Sequence, residues 1–193
     1  VRSGSVLEDM LALRRKCESI LDHKFPAAQV DKTGAKSISL SGGSLQRKVD
    51  VVPSHWHDTA AYQQSGAKHD REVKILNKDE LTLITNRPFL HMRRIEEKDQ
   101  RTSTGAKKVI RLLKNIKKDS SQDIKLTSYD IAALIWHVQD EALRKPYYLE
   151  LSLVAETQKY LQFLVENPFY ARSLDVPDQS RKIIDTPEKL TSL

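Results

Sequence analysis

Past a first helix, the hydrophobic periodicity of the chain changes from strand-like to helical at Pro88, and that change decides the fold class. Before it, short β-branched runs are separated by turn residues: Gln29–Val30, Ser37–Leu40, Arg47–Val52, and a hairpin-like pair, Val73–Leu76 and Leu81–Thr85, around Asn77-Lys78-Asp79. After it, apolar residues recur at helical spacing to the end of the patterned sequence. Pro88 opens a helix carrying Phe89, Met92 and Ile95, followed by helices at Thr104–Lys118, Thr127 to about Leu143, and Pro146–Glu166. One helix stands ahead of the strands, Ser5–Phe25, with Ser5 and Glu8 spaced as a capping box and Pro26 at its end. The stretch 167–193 reads as irregular, with Pro168, Pro177 and Pro187 and one short helix at its end. Strands followed by helices predict an α+β fold with a seam near residues 86–90.

A chain of 193 residues with 39% hydrophobic and 30% charged residues can bury one large core or two small ones. No apolar run approaches the roughly 18 residues of a membrane span, and no secretory-type leader is read at the start. Cys17 is the only cysteine, so an intrachain disulfide is excluded and a reducing, cytoplasmic setting is expected. The net charge of +6 is concentrated in one place. Eight basic residues and one acid lie between Lys98 and Lys118, so that segment alone carries +7.

Three candidate sites follow from the pattern. Asp50 lies inside Lys48-Val49-Asp50-Val51-Val52-Pro53, which predicts a buried strand with Val49 and Val51 on one face and Asp50 and Val52 on the other. A carboxylate buried there calls for a metal or a hydrogen-bond partner, and the competing reading is an edge strand with Asp50 in water. The helix 104–118 has two faces. Val109, Leu112, Leu113 and Ile116 form an apolar stripe, and Lys107, Arg111, Lys114 and Lys118 form a cationic one. Four cations on one face can meet a triphosphate or the backbone of RNA or DNA, and can equally be a solvated surface. The third candidate is Thr127-Ser128-Tyr129-Asp130. Thr127 caps a helix and Asp130 completes a capping box, leaving Ser128 and Tyr129 in a first turn whose open N–H groups attract phosphate. His55 and His57, two apart on an extended segment, have no third ligand at a zinc-like spacing, and Cys17 has no evident base.

Taken in order, Val49-Asp50-Val51-Val52-Pro53, Arg111-Leu112-Leu113-Lys114 and Leu126-Thr127-Ser128-Tyr129-Asp130 resemble the polymerase-β-like nucleotidyltransferase superfamily. Within it, the resemblance is to the bacterial cyclic-oligonucleotide synthases and their relatives, oligoadenylate synthetase and cyclic GMP–AMP synthase. It covers about residues 1–166. It implies a mixed-sheet nucleotidyltransferase core, of which residues 1–88 are the remainder, followed by a helical nucleotide-binding domain at 89–193. It also implies a nucleoside triphosphate donor, two Mg²⁺ ions (Mn²⁺ being an alternative) held by three carboxylates, and a cyclic or linear oligonucleotide signal in antiviral defence. By resemblance Asp50 is the third metal-binding carboxylate, Lys114 a triphosphate contact flanked by Lys107 and Arg111, Ser128 a phosphate contact, and Tyr129 the base-stacking ring. The family's Gly-Ser turn and Asp-x-Asp or Glu-x-Asp pair precede the first helix. Here Gly4-Ser5 has no such pair after it, Asp31 stands alone, and Asp79-Glu80 are adjacent. The expectation is a chain that begins after the strand carrying the pair, or a catalytically dead member that binds nucleotide or RNA with the same basic cleft. A helical adaptor that docks an acidic partner is the reading from a different class.

Overall fold

The computed structural model describes residues 5–193. Gly4 lies outside the described residues. The chain forms two compact units, Val1–Arg87 and Pro88–Leu193, each with its own packing.

In the first unit, helix α1 (Val6–Lys24) starts where Ser5 N–H donates to Glu8 Oε2 at 3.4 Å. Its buried side is polar as well as apolar: Met10 and Arg14 are 2% and 3% exposed. Arg14 donates from Nη2 to the carbonyls of Lys32, Gly34 and Ser37 and from Nε to Glu18, stapling the helix to the loop between β1 (Gln29–Asp31) and β2 (Ile38–Ser41). Two three-stranded sheets follow, both antiparallel throughout. The first is ordered β1-β2-β3, with β3 at Val49–Val51. The second is ordered β4-β5-β6, with strands Ser54–His57, Glu72–Asn77 and Thr82–Asn86. Gly42 and Gly43 make the β2–β3 turn at φ of 77° and 59°, a region that glycine enters without penalty. Between β4 and β5 lies a short helix α2 (Ala60–Ser65) that the pattern did not announce. Asp79 and Glu80 are in the β5–β6 turn, with their N–H groups donating to Asn77 Oδ1, so they are turn residues and not members of a strand.

The second unit is all helical: α3 (Pro88–Arg101), α4 (Gly105–Asp119), α5 (Ser128–Trp136), α6 (Asp140–Leu143), α7 (Ser152–Glu166), α8 (Pro168–Ser173) and α9 (Pro187–Leu190). Its core is built by α5, whose Ile131, Ala133, Leu134 and Ile135 are all 4% exposed or less. Leu164, Val176 and Ile183 pack on one side of this helix, and Val109, Ile110 and Leu143 on the other. Burying each such side chain contributes about 1.5–3 kcal/mol, which outweighs helix propensity.

The differences from the predicted helices have local causes. The helix expected to run to Leu143 stops at Trp136, because the buried Lys98 ammonium takes the Val138 carbonyl and Asp140, and His137 Nε2 binds the Asp175 carbonyl at 2.7 Å. The helix expected from Pro146 begins as a 3-10 turn at Tyr147–Leu149, because Pro146 is extended. On α4 the core stripe is Ala106, Val109 and Ile110, with Leu113 partly buried; Ile116 is 52% exposed. That rotation follows from close contact at the helix start, where a Cβ on Gly105 would collide with the Leu143 carbonyl oxygen. The segment 167–193 holds two short helices, α8 and α9, and not only the one expected at its end.

Candidate nucleotide site

Three helix segments of the second unit enclose a cleft of about 640 Å³, a size that accommodates a small ligand. From α3 come His91, Met92, Ile95 and Glu96; from α4, Lys107, Ile110, Arg111 and Lys114; from α5, Ser128, Tyr129 and Ala132. The five residues that the sequence offered for phosphate or base contact, Lys107, Arg111, Lys114, Ser128 and Tyr129, therefore line one cavity.

Their electrostatic standing differs. Lys107 is bound by Glu96 and lies 3.6 Å from Asp99 Oδ2, and the hydrogen bond to Glu96 raises its pKa. Lys108 is paired with Glu150, and Lys117 donates to the Leu126 carbonyl. Arg111 and Lys114 have no ion-pair partner among the described residues, so their charge is available to an anion in the cleft.

The start of α5 is built as its sequence dictates. Thr127 Oγ1 accepts from Asp130 N–H at 3.1 Å, and Asp130 Oδ2 accepts from Thr127 N–H at 2.9 Å and its hydroxyl at 2.8 Å. Asp130 is fully buried, yet Arg181 reaches it at 2.6 Å and Lys189 at 3.1 Å. Burial pushes its pKa up, but the Thr127 N–H and Arg181 outweigh that and hold the carboxyl ionised, below the usual range. The N–H groups of Ser128 and Tyr129 have no intrahelical acceptor, and the positive end of the helix faces any anion beside them.

Tyr129 is more confined than an open stacking ring. His91 lies face to face with it, ring centroids 3.6 Å apart and planes inclined by 18°. Its hydroxyl donates to Asp178 Oδ2 at 2.6 Å. Burial and that bond push the phenol far above its usual pKa. His91 is 6% exposed and its Nδ1 has no hydrogen-bond partner. Burial, with Arg181 and Lys114 nearby, lowers the His91 pKa to about 4 against the opposing pull of Asp178, so the ring is neutral at pH 7. The sequence reading missed His91, Asp178 and Arg181. His91 falls on the apolar side of α3, four residues before Ile95, and an imidazole on a core stripe was its signal. Asp178 and Arg181 lie in the stretch read as irregular.

Asp50 corrects the expectation of a buried, central strand. It sits on β3, an edge of the first sheet, and is exposed. The predicted alternation is present: Val49 and Val51 pair with Leu40 and Ile38, both buried, which turns Asp50 and its partner Ser39 to the other face. The Ser39 hydroxyl donates to the Asp50 carboxylate. Among the described residues β3 pairs with β2 alone, so its outer side is left uncovered by them. Among the described residues no group of three or more His, Cys, Asp or Glu side chains could hold a metal ion. The described residues therefore do not by themselves supply the carboxylates of a two-Mg²⁺ site. His57 Nδ1 is 3.1 Å from Glu72 Oε2, and His55 Nδ1 contacts the Trp56 carbonyl at 2.8 Å.

Residues 93–192, half of the chain, match the family model of the cGAS/DncV-like nucleotidyltransferase C-terminal helical domain. The chain belongs to the cGAS/DncV-like nucleotidyltransferases. It is 44% identical over 187 residues to the cyclic dinucleotide synthase CdnE of Yersinia aleksiciae, covering 95% of this chain and 49% of that protein. The structure is similar to a STING-associated CdnE c-di-GMP synthase from Capnocytophaga granulosa, with a TM-score of 0.81 at 28% identity over 97% of this chain and 60% of that one. It shares the fold of the Rhodothermus marinus CdnE c-UMP-AMP synthase solved with Apcpp and Upnpp, with a TM-score of 0.67 at 18% identity over 98% and 62% of the two chains. The chain spans about half the length of the curated relatives it matches. No helix among the described residues is long and apolar enough to cross a membrane.

Proposed function

We propose that the helical unit is the donor-nucleotide site of a nucleotidyltransferase that joins nucleoside triphosphates into a cyclic or linear oligonucleotide signal, with a role in antiviral defence. The observation that carries this reading is the convergence of Arg111 and Lys114, both without ion-pair partners among the described residues, with the open first turn of α5 on one cleft. Guanidinium, ammonium and helix N–H groups are the donors that a triphosphate needs. Met92, Ile95 and Ile110 supply an apolar lining beside them, suited to the base and sugar. One face of Tyr129 is already stacked by His91. A base therefore meets the ring where His91 and the Arg181 guanidinium, whose carbon is 5.7 Å from the ring centre, leave it open, or displaces His91.

Asp50 is the one residue of this chain assigned to Mg²⁺, and that assignment rests on the resemblance, as does the ion itself. A second reading, a nucleotide- or RNA-binding protein without transfer activity, is favoured by the exposed, edge-strand setting of Asp50.

Calorimetric titration with a non-hydrolysable nucleoside triphosphate tests the site. Arg111→Ala, Lys114→Ala and Ser128→Ala should each weaken binding, and unchanged affinity in all three would discard the assignment. Pyrophosphate release by a chain extended to the relatives' full length separates the two readings. Transfer that Asp50→Asn abolishes supports the enzyme; tight binding without release supports the second reading.

A further inference from the structure

The segment between α8 and α9 does not line the cleft, yet it holds the ring that does. Asp178 is 1% exposed, and its Oδ1 accepts from Ser180 N–H at 3.0 Å and Ser180 Oγ at 2.7 Å. Those two bonds form a local turn and account for one carboxylate oxygen. The other oxygen takes the Tyr129 hydroxyl at 2.6 Å, across 49 residues of sequence. Three residues on, Arg181 binds the buried Asp130 at the start of the same helix, with its guanidinium carbon 5.7 Å from the Tyr129 ring centre. A tyrosine in the first turn of a helix turns about two side-chain bonds unless its far end is fixed. Here that end is anchored by a charge-assisted bond, the stronger class of hydrogen bond. His91 lies flat on the ring so held.

We propose that Asp178 is a positioning residue for base recognition: it fixes the Tyr129 ring, and through it the stacked His91, so that the surface offered to a nucleobase is formed before the nucleotide arrives. This rests on the reading of the cleft as a nucleoside triphosphate site. Asp178 acts on the base end of the ligand alone. Phosphate binding belongs to Arg111, Lys114 and the α5 start, whose cap is closed by Thr127 and Asp130.

Two ligands separate these effects in the intact chain: 2-aminopurine riboside triphosphate, whose fluorescence is quenched on stacking, and inorganic tripolyphosphate, which has no base. Asp178→Ala should weaken the fluorescent nucleotide about tenfold, with reduced quenching, while tripolyphosphate affinity stays within about twofold. Asp178→Asn keeps an oxygen acceptor and should recover part of the loss. In a Tyr129→Phe background, Asp178→Ala should cost no further nucleotide affinity, because the Tyr129 bond is already gone and the two Ser180 bonds lie outside the cleft lining. Equal weakening of both ligands would show a merely structural role and overturn the proposal, as would additive effects or an Asp178→Ala protein that binds the nucleotide like wild type. If Asp178→Ala does not fold, Tyr129→Phe decides, since it must reproduce the base-selective loss. Wild-type protein that binds neither ligand would instead sink the reading of the cleft.

Discussion

Asp50 and Asp130 are two aspartates set in apolar sequence, and the molecule treats them in opposite ways. Asp130 is fully buried and held by Thr127, Arg181 and Lys189. Asp50 is exposed on an edge strand with the Ser39 hydroxyl as its partner. The contrast separates two kinds of information. A helix start carries its own hydrogen-bond chemistry within four residues, so the setting of Asp130 is largely written where it stands. The setting of a strand residue depends on which strands lie beside it, and a β-branched run specifies a strand without specifying its neighbours.

The largest effect that would sharpen this contrast is on stability. Asp130→Ala removes the cap partner and leaves Lys189 and Arg181 without their buried anion, and should cost about 3 kcal/mol in denaturant unfolding of the helical unit. A loss below about 1 kcal/mol would mean that the network is ornamental.

The next concerns pH. Folding keeps His91 neutral down to about pH 4, while the unfolded ring takes its proton near 6.5. Between those values the unfolded chain binds more protons, so this group's contribution falls as pH drops from about 6.5 to about 4 and is flat on either side. The loss is at most about 3 kcal/mol. His91→Phe keeps a ring against Tyr129 and should flatten that part of the stability–pH curve; an unchanged slope would place the titration elsewhere.

Smaller again is the difference between the two kinds of lysine in the cleft. Lys114→Ala should weaken triphosphate binding about tenfold, whereas Lys107→Ala, whose charge is already met by Glu96 and Asp99, should change it about threefold or less. Equal losses would show that the ion pairs of Lys107 open for the ligand. The smallest expected effect is at Asp50, where Asp50→Asn should shift stability by less than about 0.5 kcal/mol. A larger change would restore the buried setting that the strand pattern led one to expect.

Much of the fold was legible. The change at Pro88, the capping box at Thr127 and Asp130, and the hairpin of β5 and β6 all rest on contacts within a few residues. The helix that ends at Trp136 was not legible, because its competitors, Lys98 and Asp175, are 40 and 38 residues distant from the groups they take. In the cleft, the cationic face of α4 and the α5 start were readable from spacing. Which lysines are already paired was not, since Glu96 and Glu150 come from other segments. His91 and Asp178 escaped for the same reason: their meaning comes from touching Tyr129 at separations of 38 and 49 residues.

The central claim, that the cleft of the helical unit receives a nucleoside triphosphate, is tested most directly by NMR of the isotope-labelled chain during titration with a non-hydrolysable analogue. The amides of Arg111, Lys114, Ser128 and Tyr129 and the ring signals of His91 are expected to move first and furthest, saturating together. Saturating shifts confined to residues 38–57, with those five sites unmoved, would contradict it.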